Sequence, residues 1–250
     1  MSYSNGPKMI TNGLVLCLDA ANPRSYTNGN SVWNDLSNNG NNGTLTNGPT
    51  YNTESKGSIV FDGVDDYVSF LGGTFGYSPS TAGELSLEAW VYPTGPFTSY
   101  TNEPPITNLS GIFGQGYFGG AVGWGLGVVV RSDVGNCWTF QVRNYLNIVE
   151  ATGTSSPFTI GSWYHLVGSF TRNNLSRLYV NGSLVSSISS TPLNNVDLTP
   201  TVNNAAVGRS TTYSSFQYGG RVGAVKLYNR PLSSDEIKQN YNATKGRYTL

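Results

Sequence analysis

Asp62, Asp65 and Asp66 crowd into the stretch "FDGVDDYVSF", an otherwise apolar and aromatic run. Carboxylates this close together have three chemical uses. They can work as an acid/base couple, share a hard cation, or close a turn. Hydrolysis of a glycosidic bond needs two carboxyl groups flanking the scissile bond, and neighbours on one tip do not flank anything. Calcium takes six or more oxygens, so it would need donors from elsewhere; Asp19 and Asp35 are further oxygen donors, both among turn residues. The third use predicts a hairpin, with strands over 58–63 and 67–71 and a polar tip at Val64, Asp65 and Asp66, since an Asp side chain bonds its own backbone in a turn. Glu88 in "LSLEAWVYP" and Glu150 in "NIVEAT" each stand alone. His165 is the single histidine and has no nucleophile motif to serve. The expectation is a chain without catalysis and without a cofactor, with calcium at Asp19, Asp35 or Asp65 as the alternative.

Binding chemistry has different requirements. A sugar site combines aromatic platforms with planar polar groups. In "GWGLGVVVR", alternation puts Trp124, Leu126, Val128 and Val130 on one face and Gly125, Gly127, Val129 and Arg131 on the other. In "CWTFQVR", Trp138, Phe140 and Val142 oppose Thr139, Gln141 and Arg143. The apolar sets read as core. The second sets, with Arg131, Gln141 and Arg143 beside small residues, are a candidate ligand face. Phe97 and Tyr100, in a loop over residues 94–108, are a second candidate, because function concentrates on loops.

These residues need elements to position them, and the composition says which. The chain has 250 residues, with 14 basic, 14 acidic and a formal net charge of zero. Charged residues make up only 11%, against 31 glycines, 16 tyrosines, 10 phenylalanines and 5 tryptophans. Glycine supports turns and aromatics favour strands. Zero net charge argues against a nucleic-acid partner. No run is long and apolar enough to insert in a membrane, and "MSYSNGPKMITNG" lacks the pattern of a signal peptide. Cys17 and Cys137 read as two buried free thiols. "SNNGNNGTLTNGPT" reads as turn chemistry throughout. Asn181-Gly182, between "LYV" and "SLV", predicts a hairpin with a type I′ turn. One helix is expected in "LSSDEIKQNYNA": Ser233 and Glu236 form a capping box, and Leu232 and Ile237 a hydrophobic staple. Many short strands without intervening helices predict an antiparallel sandwich. It divides into an N-terminal arm over residues 1–13 and a single domain over 14–250.

The ordered set "SIVFDGVDDYVSF", "LSLEAWVYP", "SWYHLVGSFT", "SRLYVNGSLV" and "VGAVKLYNRPLSSDEI" resembles the laminin-G-like branch of the concanavalin A-like lectin/glucanase superfamily. The resemblance runs from about Leu14 to Tyr241. It implies an all-β, antiparallel jelly-roll sandwich with one short C-terminal helix. Relatives of that kind often place acids on the last strand for calcium; here Gly223 and Ala224 stand in their place. The segments "GLVLCLDAANPRSY", "WNDLSNNGNNGTLTNGPTY" and "YNATKGRY" resemble domains in structural proteins of tailed bacteriophages, notably those of aquatic hosts. That resemblance implies a virion surface protein, a capsid decoration or fibre component assembled in the host cytoplasm. Its partners would be other virion proteins, further copies of itself, and host surface glycans. A cellular carbohydrate-binding or adhesion module is the alternative, and a glycoside hydrolase the third.

Overall fold

A computed structural model describes residues 7–70, 75, 83–95, 97, 109–116, 123–131, 135–143, 148–152, 157–172, 174–189, 205–209 and 217–248. Alternating patterns over these residues produce sixteen strands and one α-helix. The strands form two antiparallel sheets. The first runs in the order β14 (Ser183–Ser189), β13 (Leu175–Val180), β12 (Tyr164–Phe170), β7 (Leu85–Pro93), β16 (Gly219–Tyr228), β5 (Ser58–Asp62) and β4 (Thr50–Asn52). Strand β1 (Leu14–Asp19) also pairs with β16, on the edge that β5 occupies further along. The second sheet runs β11 (Ile148–Thr152), β10 (Gly135–Arg143), β9 (Gly123–Arg131), β8 (Leu109–Gln115), β15 (Ala206–Val207), β6 (Tyr67–Phe70), β3 (Gly43–Thr46) and β2 (Val32–Trp33).

The expected sandwich is therefore present, and its core lies between the sheets. Leu85, Leu87, Ala89 and Val91 of β7, with Leu166 and Phe170 of β12, join Trp124, Leu126, Val128, Trp138, Phe140 and Val142 of the second sheet. Gly168 shows how tightly they mesh: a Cβ there would lie 2.2 Å from the Phe140 ring. Interiors packed to crystal-like density tolerate no added methyl at such a contact.

Two elements differ from the sequence reading. "FDGVDDYVSF" is not a hairpin. β5 pairs with β16 and β4 in the first sheet, and β6 pairs with β3 and β15 in the second. The aspartate stretch is an arch that carries the chain from one sheet to the other. Phe61 from one side and Val68 and Phe70 from the other then face each other across the core. The second difference is β3, which falls inside the segment read as turns throughout. Gly43 sits against Val68, where a Cβ would approach a methyl to 2.4 Å, and Leu45 pairs with Val68 across the ladder.

Local chemistry governs the remaining landmarks. Asn181 and Gly182 take φ values of 51° and 76°, the left-handed pair a type I′ hairpin requires, and join β13 to β14. Helix α1 (Ser234–Thr244) starts with the capping box in place: the Ser233 hydroxyl accepts from the Glu236 amide, and the Glu236 carboxylate accepts from the Ser233 amide. Leu232 and Ile237 are buried together beneath it. The helix lies on the outer face of the first sheet. Residues ahead of β1 are tied to it, with the Ile10 amide donating to Asn240 Oδ1 at 2.8 Å and Gln239 Nε2 donating to the Lys8 carbonyl at 2.6 Å. Both cysteines are buried free thiols, as expected.

Candidate functional site

At the arch, the carboxylates act first on the backbone. Asp62 Oδ1 accepts from the amides of Val64 (2.8 Å) and Asp65 (3.3 Å), and Asp66 Oδ2 accepts from the Asp62 amide at 3.0 Å. Asp62, Asp65 and Asp66 are the one group of metal-ligating side chains found close together among the described residues, each with a ligand atom within 4.8 Å of the others. Burial, together with the charges of Asp62 and Asp65, pushes the Asp66 carboxyl up despite its hydrogen bond from the Asp62 amide. The other two oxygen donors do not join them. Asp35 closes its own loop, accepting from the amides of Cys17, Ser37 and Asn41 at 2.9, 2.9 and 3.1 Å. Asp19 is neutralised by Arg247, whose Nη1 lies 2.6 Å from Oδ1. Tyr248 fills the space beside the last strand, where a Cβ on Gly223 would meet its hydroxyl at 2.5 Å.

A second charged group was not legible in the sequence. Glu88, read there as standing alone, is the hub of a buried cluster on the outer face of the first sheet. Ladder pairing aligns Cys17 with Lys226 and Lys226 with Glu88, and sets Trp90 beside His165. The Lys226 ammonium donates to Glu88 Oε1, and His165 Nε2 lies 3.1 Å from the same oxygen. Helix α1 contributes Asn240, whose Nδ2 donates to Glu88 Oε2 at 2.7 Å and to the Tyr228 hydroxyl at 3.0 Å. Burial alone would raise the Glu88 carboxyl; the Lys226 charge and the His165 contact outweigh it and hold it at about 2. Burial, opposed by Lys226, pushes the Cys17 thiol up to about 12. A carboxylate, a lysine and a histidine in contact have the makings of a catalytic centre, but a substrate needs an open cleft. Here Glu88, His165, Lys226 and Asn240 are all between 0 and 3% exposed. The ring of Tyr248 stacks at 4.0 Å on Trp90, and Tyr241 stacks on its far side at 5.9 Å. The cluster clamps the helix to the sheet. A sequence signal was available: in a chain this poor in charge, Glu88 and Lys226 each interrupt an apolar strand.

The outer face of the second sheet has the opposite character. Register aligns Glu150, Gln141, Gly125 and Gly114 in one row across β11, β10, β9 and β8, and Thr152, Thr139, Gly127 and Gly111 in the next. Ala206 and Ser69 extend the first row across β15 and β6. The glycines leave the middle of this face without side chains. Gly114 could carry none, since a Cβ would lie 2.5 Å from the Trp124 carbonyl oxygen. Gln141 is 1% exposed, and its Nε2 is enclosed with no hydrogen-bond partner among the described residues. Such an orphaned donor costs about 1–3 kcal/mol. Of the other candidate residues, Arg131 and Arg143 end β9 and β10, and their side chains lie outside the described residues, as does that of Glu150. Tyr100 also lies outside the described residues. Phe97 packs edge-on against Phe158 at 5.6 Å and lies 6.1 Å from Tyr218, at the margin of the core.

Two antiparallel sheets packed face to face, one carrying a helix and the other a glycine-floored face, define a jelly-roll β-sandwich of the lectin type. The chain belongs to the Concanavalin A-like lectin/glucanases superfamily, whose laminin-G-type family model matches residues 61–238. Solved structures share the fold at low identity. The binding domain of Paraclostridial Mosquitocidal Protein 1 matches with a TM-score of 0.66 and 13% identity, covering 93% of this chain and 52% of that one. Domain 4 of a GH43 extracellular arabinanase from Geobacillus stearothermophilus, solved with arabinotriose, matches with a TM-score of 0.63 and 16% identity, over 91% of this chain and 98% of that one. Trypanosoma rangeli sialidase matches with a TM-score of 0.60 and 18% identity, covering 96% of this chain and 34% of that one. The chain thus spans about half of the toxin domain and a third of the sialidase. No curated protein matches its sequence.

Proposed function

We propose that this chain is a non-catalytic glycan-binding module, displayed in repeated copies on the surface of a tailed-bacteriophage virion. The observation that carries the binding reading is the enclosed Gln141 amide over a glycine floor. A buried donor without an acceptor among the described residues is suited to a ligand oxygen. The arabinanase domain solved with arabinotriose, alike in fold over nearly its whole length, supports a saccharide as that ligand. The non-catalytic reading is supported by the burial of Glu88 and His165 under α1 and by the engagement of Asp62 and Asp66 with the backbone. The virion setting rests on the phage-like segments of the sequence. It comes with docking on other virion proteins, self-association through neutral surfaces, assembly in a host cytoplasm and no cofactor. A cellular carbohydrate-binding module is the second reading, favoured by the toxin and arabinanase domains that share the fold.

The test is a titration of the pure protein with a panel of neutral and acidic oligosaccharides. Binding that weakens at least tenfold in Gln141→Ala, with no new reducing ends released, is the expected result. Absence of binding across the panel, or release of reducing ends, overturns the reading. Mixing with purified phage particles separates the two settings: docking supports the virion, and none supports the cellular module.

A further inference from the structure

Arg209, one residue beyond the end of β15, forms an isolated bridge with Gln217. Its guanidinium carbon lies 3.4 Å from the centroid of the Tyr67 ring. Tyr67 opens β6, where Val68 and Phe70 point into the core, so Tyr67 and Ser69 belong to the outer face. This is the face that carries Gln141 and the glycine floor. Among the described residues, no carboxylate pairs with the guanidinium, and Arg209 Nε is enclosed without a hydrogen-bond partner. Other arginines are used differently: Arg221, Arg230 and Arg247 are held by Glu54, Glu236 and Asp19.

Beside Tyr67 this face carries hydroxyls, Thr46 being its ladder partner. The hydroxyls of Thr46 and Ser69 lie 3.4 Å apart, and Ala206, opposite Ser69, adds no bulk. Stacking on Tyr67 fixes the plane of the guanidinium. A planar, always-charged fork held in one orientation matches a carboxylate, which it can bind through two parallel hydrogen bonds. The hydroxyls beside it offer partners for the hydroxyl groups of a sugar.

We infer that Arg209 and Tyr67 form a subsite for a carboxylated sugar, so that the glycan taken by this face is acidic. The inference rests on the glycan-binding reading above and adds its ligand class.

The experiment is calorimetric titration with trigalacturonate, an alginate trimer and sialyllactose, each beside its methyl ester. The ester removes the charge and keeps the sugar. At least one acid should bind ten times or more tightly than its ester, and added salt should narrow the gap. Arg209→Gln should abolish the preference, bringing the acid's affinity down to that of its ester. Arg209→Lys, which keeps the charge but loses the planar fork, should reduce the preference without removing it and guards against a variant that does not fold. Equal binding of acid and ester overturns the inference and leaves the glycan reading standing. An acid preference that survives Arg209→Gln also overturns it, by placing the recognition elsewhere. Failure of every acid, ester and neutral oligosaccharide to bind defeats both readings together.

Discussion

Replacing Lys226 with Met removes one half of a buried ion pair and leaves the other half where water cannot reach it. Glu88 is 1% exposed, and its carboxyl is held at about 2 rather than the ordinary 4.5. That difference corresponds to about 3 kcal/mol of folding stability. Because the carboxyl is lowered on folding, this contribution is fully present above about pH 4.5 and is lost as the pH falls toward 2. Removing Lys226 deletes the largest favourable contribution while burial remains. One-sided disruption of buried pairs costs about 3–5 kcal/mol, which for a chain of this size lowers Tm by roughly 6–20 °C. The assay is urea unfolding followed by tryptophan fluorescence, repeated from pH 3 to pH 8. In Lys226→Met the native cluster gains by taking up a proton, so the variant should become less stable as pH rises, opposite to the wild type below pH 4.5. The double variant Lys226→Met with Glu88→Gln should recover more than half of the loss. A single variant within 1 kcal/mol of wild type, with an unchanged pH profile, would refute the reasoning.

Other expectations follow from separate parts of the molecule. Ser233→Ala should cost about 1 kcal/mol by removing the cap of α1, read by thermal unfolding; no change would mean that packing against the sheet alone fixes the start of the helix. Both thiols should resist iodoacetamide at pH 8 in the native protein and react after unfolding, since burial holds Cys17 at about 12 and the thiolate is the reactive form. Chelator should leave Tm unchanged, because Arg247 neutralises Asp19 and backbone amides engage Asp35, Asp62 and Asp66; a fall restored by calcium would expose a cation site at the arch. Gly168→Ala should destabilise the protein by about 1–3 kcal/mol through overpacking against Phe140, with chemical denaturation as the measure.

What the sequence disclosed was the part carried by neighbouring residues. The Asn181-Gly182 turn and the Ser233/Glu236 cap are complete within a few positions, so their chemistry could be read directly. The arch was misread because alternation on both sides of a short polar link is the same whether the flanking strands pair or face each other. Only the ladder partners of β5 and β6 distinguish the two, and of these β16 and β15 lie far away in sequence. The cluster around Glu88 was hidden for the same reason. Lys226 is 138 positions away, and strand register alone brings the two side by side. On the candidate ligand face, alternation separated Gln141 and the glycines from the core correctly. It had no means to foretell that Arg209 would stack on Tyr67, since that contact joins a residue beyond β15 to the far end of the arch.

The place of β16 has a consequence for how the chain is made. This strand, ending at Tyr228, pairs with β1, β5 and β7 and so occupies the middle of the first sheet. A ribosome adds about 5–20 residues per second, so Leu14–Asp19 emerges roughly ten seconds to most of a minute before its partner exists. Throughout that interval three apolar strands wait with open edges, and nothing within the growing chain can close them. Synthesis must therefore pass through a long period of exposure to other nascent chains, and the yield of folded protein should depend on chaperones and on translation speed more steeply than its final stability implies.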